Sequence, residues 1–334
     1  MNRNNAMIGY VAKRFAYMVI MIVLVSFVAF FLVQLPPGDF VTSHVNELMR
    51  DGQQVSRQRV EALRELYGLD RPFIVQYFKW VGGLLRGNLG HSFAYDQPVA
   101  RLIAGRLGLT VMLSGGTLLF TYLMAIPMGI YSARHQYSIS DYGMSFIGFI
   151  GMATPNFILA LVLMWFFNTS FGVSIGGLVS REFQGAPWSM AKFGNVLIHL
   201  PVPIIVIGTA GTARVIRTLR ATMLDELRKQ YVVTARSKGL EERRVILKYP
   251  TRIALNPLAS NMSGVLVDIV SGSVITATVL NLPTLGPLLL DSLLKQDVYL
   301  SGAIILFQSI MVFVGTFLSD ILLVALDPRI RLEK

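Results

Sequence analysis

Three ionisable side chains stand inside long apolar stretches of this 334-residue sequence: His199, Asp268 and Asp320. A charge near the centre of a bilayer costs about 2.5 to 3.5 kcal/mol on insertion scales, so each needs a polar path or a partner. Asp268, near the middle of its stretch, is a candidate for a translocation pathway, and Asn156, beside the helix-interrupting Pro155, is a second one chosen by polarity. Asp320 reads as structural, paired with Arg329 or Arg331. The chain has no cysteine, which removes disulfides, thiolate metal sites, iron–sulfur ligation and cysteine nucleophiles together. Its four histidines, at 44, 91, 135 and 199, lack the spacing of paired metal ligands, so no metal site is expected. Neither a phosphate-cradling Gly-x-x-x-x-Gly-Lys-Ser/Thr nor a Gly-x-Ser-x-Gly nucleophile elbow occurs. If ATP drives this protein, another chain must bind it.

The elements that position these residues are expected to be membrane helices. Hydrophobic residues make up 53% and charged ones 15% of the chain, against about 25% charged in soluble domains. Six apolar stretches approach or exceed the roughly 20 residues needed to cross about 30 Å of hydrocarbon. They are Phe15–Leu35, Gly108–Ala133, Gly143–Phe167, Leu197–Ala213, Leu258–Leu282 and Gly302–Leu326, the fourth being short and interrupted by Pro201 and Pro203. The first follows Lys13 and Arg14 but is longer than a signal-peptide core and lacks a small-x-small cleavage site, so it is expected to persist as an anchor.

Charge then sets the orientation. Eighteen of the 30 Lys and Arg residues fall in the N-terminal segment, the 134–142 loop, the 214–257 loop and the C-terminus, which predicts that both termini are cytoplasmic. The net charge of +11 is thus mostly topological, and no nucleic-acid partner is expected. The expected organisation is a cytoplasmic N-terminus (1–14), a first span (15–35), an external helical segment (36–107), a five-helix core (108–326) and a cytoplasmic tail (327–334). In the external segment, Ser56 is expected to cap a helix from Arg57 to Tyr67 that stops at Gly68. Pro72 is expected to open another through Trp80, with Ile74, Phe78 and Val81 as its apolar side.

The 214–257 loop carries the most information. Leu224, Leu227, Tyr231, Thr234 and Ala235 recur at helical steps until Gly239, and a second helix is expected from Glu241 and Glu242 through Lys248 before Pro250 bends the chain. The small residues Ala235 and Ser237 suggest a knob that fits a groove on another protein; a basic loop holding anionic lipid headgroups is the alternative.

The run Tyr231-Val-Val-Thr-Ala-Arg-Ser-Lys-Gly239-Leu240, followed by Glu242-Arg-Arg-Val245 and Arg252-Ile-Ala-Leu-Asn-Pro257, resembles the cytoplasmic loop of permease subunits of ATP-binding-cassette importers, in the dipeptide, oligopeptide and nickel branch. The likeness extends through Leu35-Pro-Pro-Gly-Asp39, Tyr67-Gly-Leu-Asp70, Gly87-Asn-Leu-Gly90, Ala153-Thr-Pro-Asn-Phe157, Pro283-Thr-Leu-Gly286 and Asp327-Pro-Arg-Ile-Arg331. It departs at Val233 and Thr234, where related importers often have glutamate and alanine, at Ala277, and at Pro250.

The resemblance implies an all-α integral membrane protein of six transmembrane helices with the type I ABC importer permease fold, in a bacterial inner membrane. It also implies a second homologous permease, two ABC ATPase subunits that bind ATP and Mg, and a periplasmic substrate-binding protein. Tyr231, Thr234, Ala235, Arg236, Lys238, Gly239, Leu240 and Glu241 are then the expected ATPase-coupling residues. Di- or oligopeptides are the favoured cargo, with nickel chelates and oligosaccharides as alternatives. An ion-coupled secondary transporter using Asp268 is the alternative of another class.

Overall fold

The computed structural model describes residues 3–50, 57–172, 175–183 and 186–326. Ser56, the 327–334 tail and its Arg329 and Arg331 lie outside the described residues. In chain order the elements are α1 (Arg3–Gln34), α2 (Phe40–Arg50), α3 (Arg57–Tyr67), α4 (Phe73–Leu85), β1 (His91–Ser92), β2 (Gln97–Pro98) and α5 (Val99–Arg134). There follow α6 (Ile139–Ala153), α7 (Asn156–Phe171), α8 (Met190–His199), α9 (Pro201–Leu227), α10 (Gln230–Ser237), α11 (Glu242–Lys248) and α12 (Pro250–Ala254). The remainder is α13 (Asn256–Ser260), α14 (Met262–Val279), α15 (Leu285–Leu294) and α16 (Val298–Leu326). The only strands among the described residues are the antiparallel pair β1 and β2, with His91 opposite Pro98 and Ser92 opposite Gln97.

Among the described residues, five unbroken helices are long and apolar enough to cross a membrane: Lys13–Gln34, Val99–Arg134, Pro201–Leu227, Met262–Val279 and Val298–Leu323. The stretch 143–167, expected as one span, is a pair of helices, α6 and α7, bent by 102° at Thr154 and Pro155; taken as one broken span, it brings the number to the six expected. Proline has no N–H to continue the ladder and forces its predecessor out of the helical region, and Thr154 accordingly sits at φ −90°, ψ 120°. The fourth span starts at Pro201, where a proline costs no hydrogen bond, and not at Leu197; it continues past its apolar stretch through Arg214 and Arg217, as long basic side chains that reach back to the interface allow, and ends at Leu227.

The chain forms two compact units, residues 1–110 with 283–311, and residues 111–282 with 312–334. In the first unit, α4 packs on α1 through Phe30, Tyr77 and Trp80, the Phe30 and Trp80 rings stacking at 5.2 Å. The inward face of α4 is therefore Gln76, Tyr77 and Trp80, whereas Ile74 and Phe78 of the expected face are exposed. Apolar residues surround this helix, so periodicity could not choose; polar partners did. Gln34 donates to Gln76 at 2.9 Å, and the hydroxyls of Ser26 and Tyr77 meet at 2.9 Å. Helices α2 and α3 close over Phe40, Val41, Val45, Val60 and Leu63, and Gly68 stops α3 at φ +68°. A second cluster joins Val99, Leu102 and Ile103 of α5 to Leu285 and Leu288 of α15 and to Leu300 and Ile304 of α16. Helices α2 and α15 were not legible in the sequence, being short pieces of mixed polarity or of unbroken apolar character.

Helix α9 is the strut of the second unit, touching α6, α7, α8, α12, α13 and α14. Glycines permit the approach: a Cβ on Gly151 would come within 2.8 Å of Thr209, and one on Gly208 within 2.9 Å of Phe120. Where lipid replaces water, such close van der Waals contact is what binds helices together.

Candidate functional site

The helix expected to run unbroken to Gly239 breaks at Arg228 and Lys229, so α10 is a separate arm that folds against α11. Val232 and Val245 are fully buried between the two arms and Ala235 nearly so, with Tyr231, Leu240 and Tyr249 packed around them. Gly239 makes the turn at φ +72°, a left-handed conformation, with nothing within 4 Å of where a Cβ would stand. The turn therefore requires glycine for its backbone and not for space. Arg236 fastens the two arms, its Nε and Nη2 donating to Glu242 at 3.1 and 2.8 Å. That bond holds the Glu242 carboxyl below the usual carboxylate range. Both side chains are nearly half exposed, so the pair orients more than it stabilises. Tyr231 donates its hydroxyl to Glu226 at the end of α9, and burial followed by that bond raises its pKa.

The eight residues singled out on this segment thus divide. Tyr231, Ala235 and Leu240 hold the hairpin together, while Thr234, Arg236, Lys238, Gly239 and Glu241 are exposed. The small side chain of Ala235 lies in the core that Val232 and Val245 form, inside the hairpin. The outward face of α10 comprises Val233, Thr234 and Ser237, continued by Lys238.

Three basic residues assigned to the loop belong to α9, and each has a partner there. Arg214 is ion-paired with Asp268 of α14. Arg217 lies 5.9 Å from the centre of the Phe149 ring. Arg220 grips Asp141 of α6 with two bonds, Nε at 2.9 Å and Nη2 at 2.7 Å. Asp141 is 2% exposed and also accepts from the Ser132 hydroxyl and, at 3.0 Å, from the Tyr137 N–H. One carboxylate therefore ties the end of α5, the turn after it and the start of α6 to α9.

The pathway candidates converge. Asn156 and Asp268 line one cleft of about 240 Å³ together with Thr121, Arg214, Ser271 and Gly272. Asn156 opens α7 directly after the break and donates weakly to the Ile207 carbonyl at 3.3 Å. Asp268 has a partner within the chain, Arg214. His199 ends α8 and donates from Nδ1 to the Asn195 carbonyl at 2.8 Å. Among the described residues no group of three or more His, Asp or Glu is placed to hold a metal ion.

Sequence reasoning missed Arg214, Asp141 and Arg220. For Asp141 there was a partial signal: Ser138 followed three residues on by an acid is a helix-start pattern, and the Ser138 hydroxyl does accept from the Asp141 N–H at 3.2 Å. Nothing in the sequence pointed to an arginine 79 positions away.

The family described as "Binding-protein-dependent transport system inner membrane component" matches residues 125–332, and the family of the corresponding N-terminal component matches residues 7–114. The chain belongs to this family of permeases. The oligopeptide transport system permease protein AppB of Bacillus subtilis is 33% identical over 97% of this chain and 99% of its own length. The dipeptide transport system permease protein DppB of Lactococcus lactis is 29% identical over 98% of this chain and 100% of its own, as is the oligopeptide transport system permease protein OppB of Mycobacterium tuberculosis. The permease is therefore a multi-pass inner-membrane transport component, and the ion-coupled alternative built on Asp268 is not favoured.

Proposed function

We propose that this permease forms half of the channel of an ATP-driven importer of di- or oligopeptides. A second, homologous permease supplies the other half, two ATPase subunits dock on the α10–α11 hairpin, and an external binding protein delivers the peptide. Both termini and the hairpin face the cytosol in this reading, as the distribution of Lys and Arg supports. The observation that carries it is the hairpin itself, a small cored unit with a glycine turn, bonded through Tyr231 and Glu226 to the end of α9.

A motor can drive a membrane protein only through a part that moves as a body. Swinging a two-state equilibrium from 1:99 to 99:1 takes about 5.5 kcal/mol of differential binding, and a loose loop would dissipate it. Thr234, Arg236, Lys238, Gly239 and Glu241 present the docking face, and Tyr231, Ala235 and Leu240 keep it rigid. From Leu227 back to Arg214, α9 spans about 20 Å at 1.5 Å per residue, so displacement of the hairpin reaches the cleft that holds Asn156 and Asp268. ATP and Mg are bound by the ATPase subunits, and this chain catalyses nothing.

Reconstitution into proteoliposomes tests the reading. The chain alone is expected to transport no peptide under any ion gradient, and uptake should require ATP, the ATPase subunits and the binding protein together. Uphill transport by the permease without a nucleotide-hydrolysing partner would refute it.

A further inference from the structure

The cleft between α7, α9 and α14 contains an arrangement that a merely structural ion pair does not require. Arg214 and Asp268 lie in the interior of two apolar helices, yet their side chains are 53% and 52% exposed, on the cleft side. A lone charge there would be costly, and the pair removes that cost by leaving the cleft electrically neutral. Their contact is a single Nη1 to Oδ2 bond. Guanidinium carries five donors and carboxylate about four acceptor sites, so most of the capacity of both groups is unused within the chain.

We propose that this cleft is a transient binding site for zwitterionic solutes, in which Arg214 takes a carboxylate and Asp268 an ammonium while their own bond opens. The inference rests on the importer reading above and deepens it by naming what the solute must carry. Exchange of partners conserves neutrality: two ion pairs, one in the cleft and one on the solute, become two different ion pairs. A solute with only one charged end would leave either the guanidinium or the carboxylate uncompensated in an apolar setting, which is the expensive outcome. A volume of about 240 Å³ is below the roughly 300 to 1,000 Å³ of drug-sized sites, so it admits a small solute or one end of a longer chain. Asn156 and Ser271 add neutral polar groups for the peptide amides.

The test uses the complete transporter in lipid nanodiscs without binding protein or nucleotide, and reads binding by saturation-transfer NMR. The probes are tri-alanine with free ends and N-acetyl-tri-alanine amide. Tri-alanine is expected to bind about tenfold more tightly or better: the blocked probe forgoes two charge-assisted bonds but leaves the Arg214–Asp268 bond intact, so the net difference is about that of one such bond. In R214Q/D268N, which removes both charges and leaves no unpaired ion, the preference should vanish. Equal binding of the two probes to the unaltered protein, binding of neither, or a preference that survives in R214Q/D268N overturns the proposal; the first comparison needs no variant. ATP-driven uptake of tri-alanine by the full system with its binding protein separates the two readings. Failure of peptide uptake would refute the importer reading, whereas uptake with equal binding of the probes would remove only the exchange site.

Discussion

Replacing Arg220 with methionine removes a guanidinium that makes two bonds to a carboxylate 2% exposed to solvent. Charge-assisted bonds contribute about 1.5 to 3 kcal/mol each, which bounds the gross loss at roughly 3 to 6 kcal/mol. Asp141 keeps the Ser132 hydroxyl and the Tyr137 N–H, so its charge is not left bare. The expected cost is therefore about 3 kcal/mol, the lower end of the range for breaking a buried pair. The double variant D141N/R220M should recover most of it, because with both charges gone nothing is left to desolvate uncompensated. Reversible unfolding in mixed micelles containing SDS, followed by circular dichroism, measures all four proteins of the cycle. A coupling of about 2 kcal/mol or more between the two positions is expected. If Arg220→Met costs less than about 1 kcal/mol, or if the double variant costs the sum of the singles, the clamp is not what holds α9 to α6.

Gly239→Val forces a β-branched residue into a left-handed turn at about 1 to 2 kcal/mol with no clash to relieve; the hairpin should fold, and peptide transported per ATP hydrolysed should fall. Gly239→Asn, which tolerates that conformation, should transport nearly normally, and an unchanged transport ratio in the valine variant would remove Gly239 from the coupling turn. Val232→Ala should destabilise the hairpin by roughly 1 to 3 kcal/mol as a cavity at a fully buried site, read as a lower unfolding midpoint and reduced co-purification of the ATPase. Thr234→Ala, at an exposed position, should change stability by less than about 0.5 kcal/mol while still weakening ATPase capture. Burial pushes the Asp39 carboxyl up, but bonds from Thr42 and Arg64 outweigh it and hold it below 3.8. Its contribution is thus present above pH 3.8 and is lost as pH falls through the lower folded value, so the increase in proteolysis of the 40–69 segment caused by Asp39→Asn should be full at pH 7 and shrink progressively as pH is lowered below 3.8.

The sequence by itself determined that the chain is helical and membrane-spanning, roughly where the long spans lie, and that a glycine turn divides the 230–249 segment. Each of these follows from a local cause: the length of an apolar run, the ring of a proline, or the left-handed preference of glycine. Resemblance carried the family. Only the tertiary structure decided which sides of those helices matter. On α4, apolar residues lie all round, so hydrophobicity could not select Gln76, Tyr77 and Trp80 over Ile74 and Phe78. On α10, the small side chain of Ala235 suited an outer contact and an inner one equally until Val245 was seen against it. Most of all, Arg214 and Arg220 counted with the cytoplasmic charges in the sequence, and nothing local named a partner for either. Their partners stand 54 and 79 residues away, and the pairing that makes them affordable is a property of the packed helices, which no local pattern encodes.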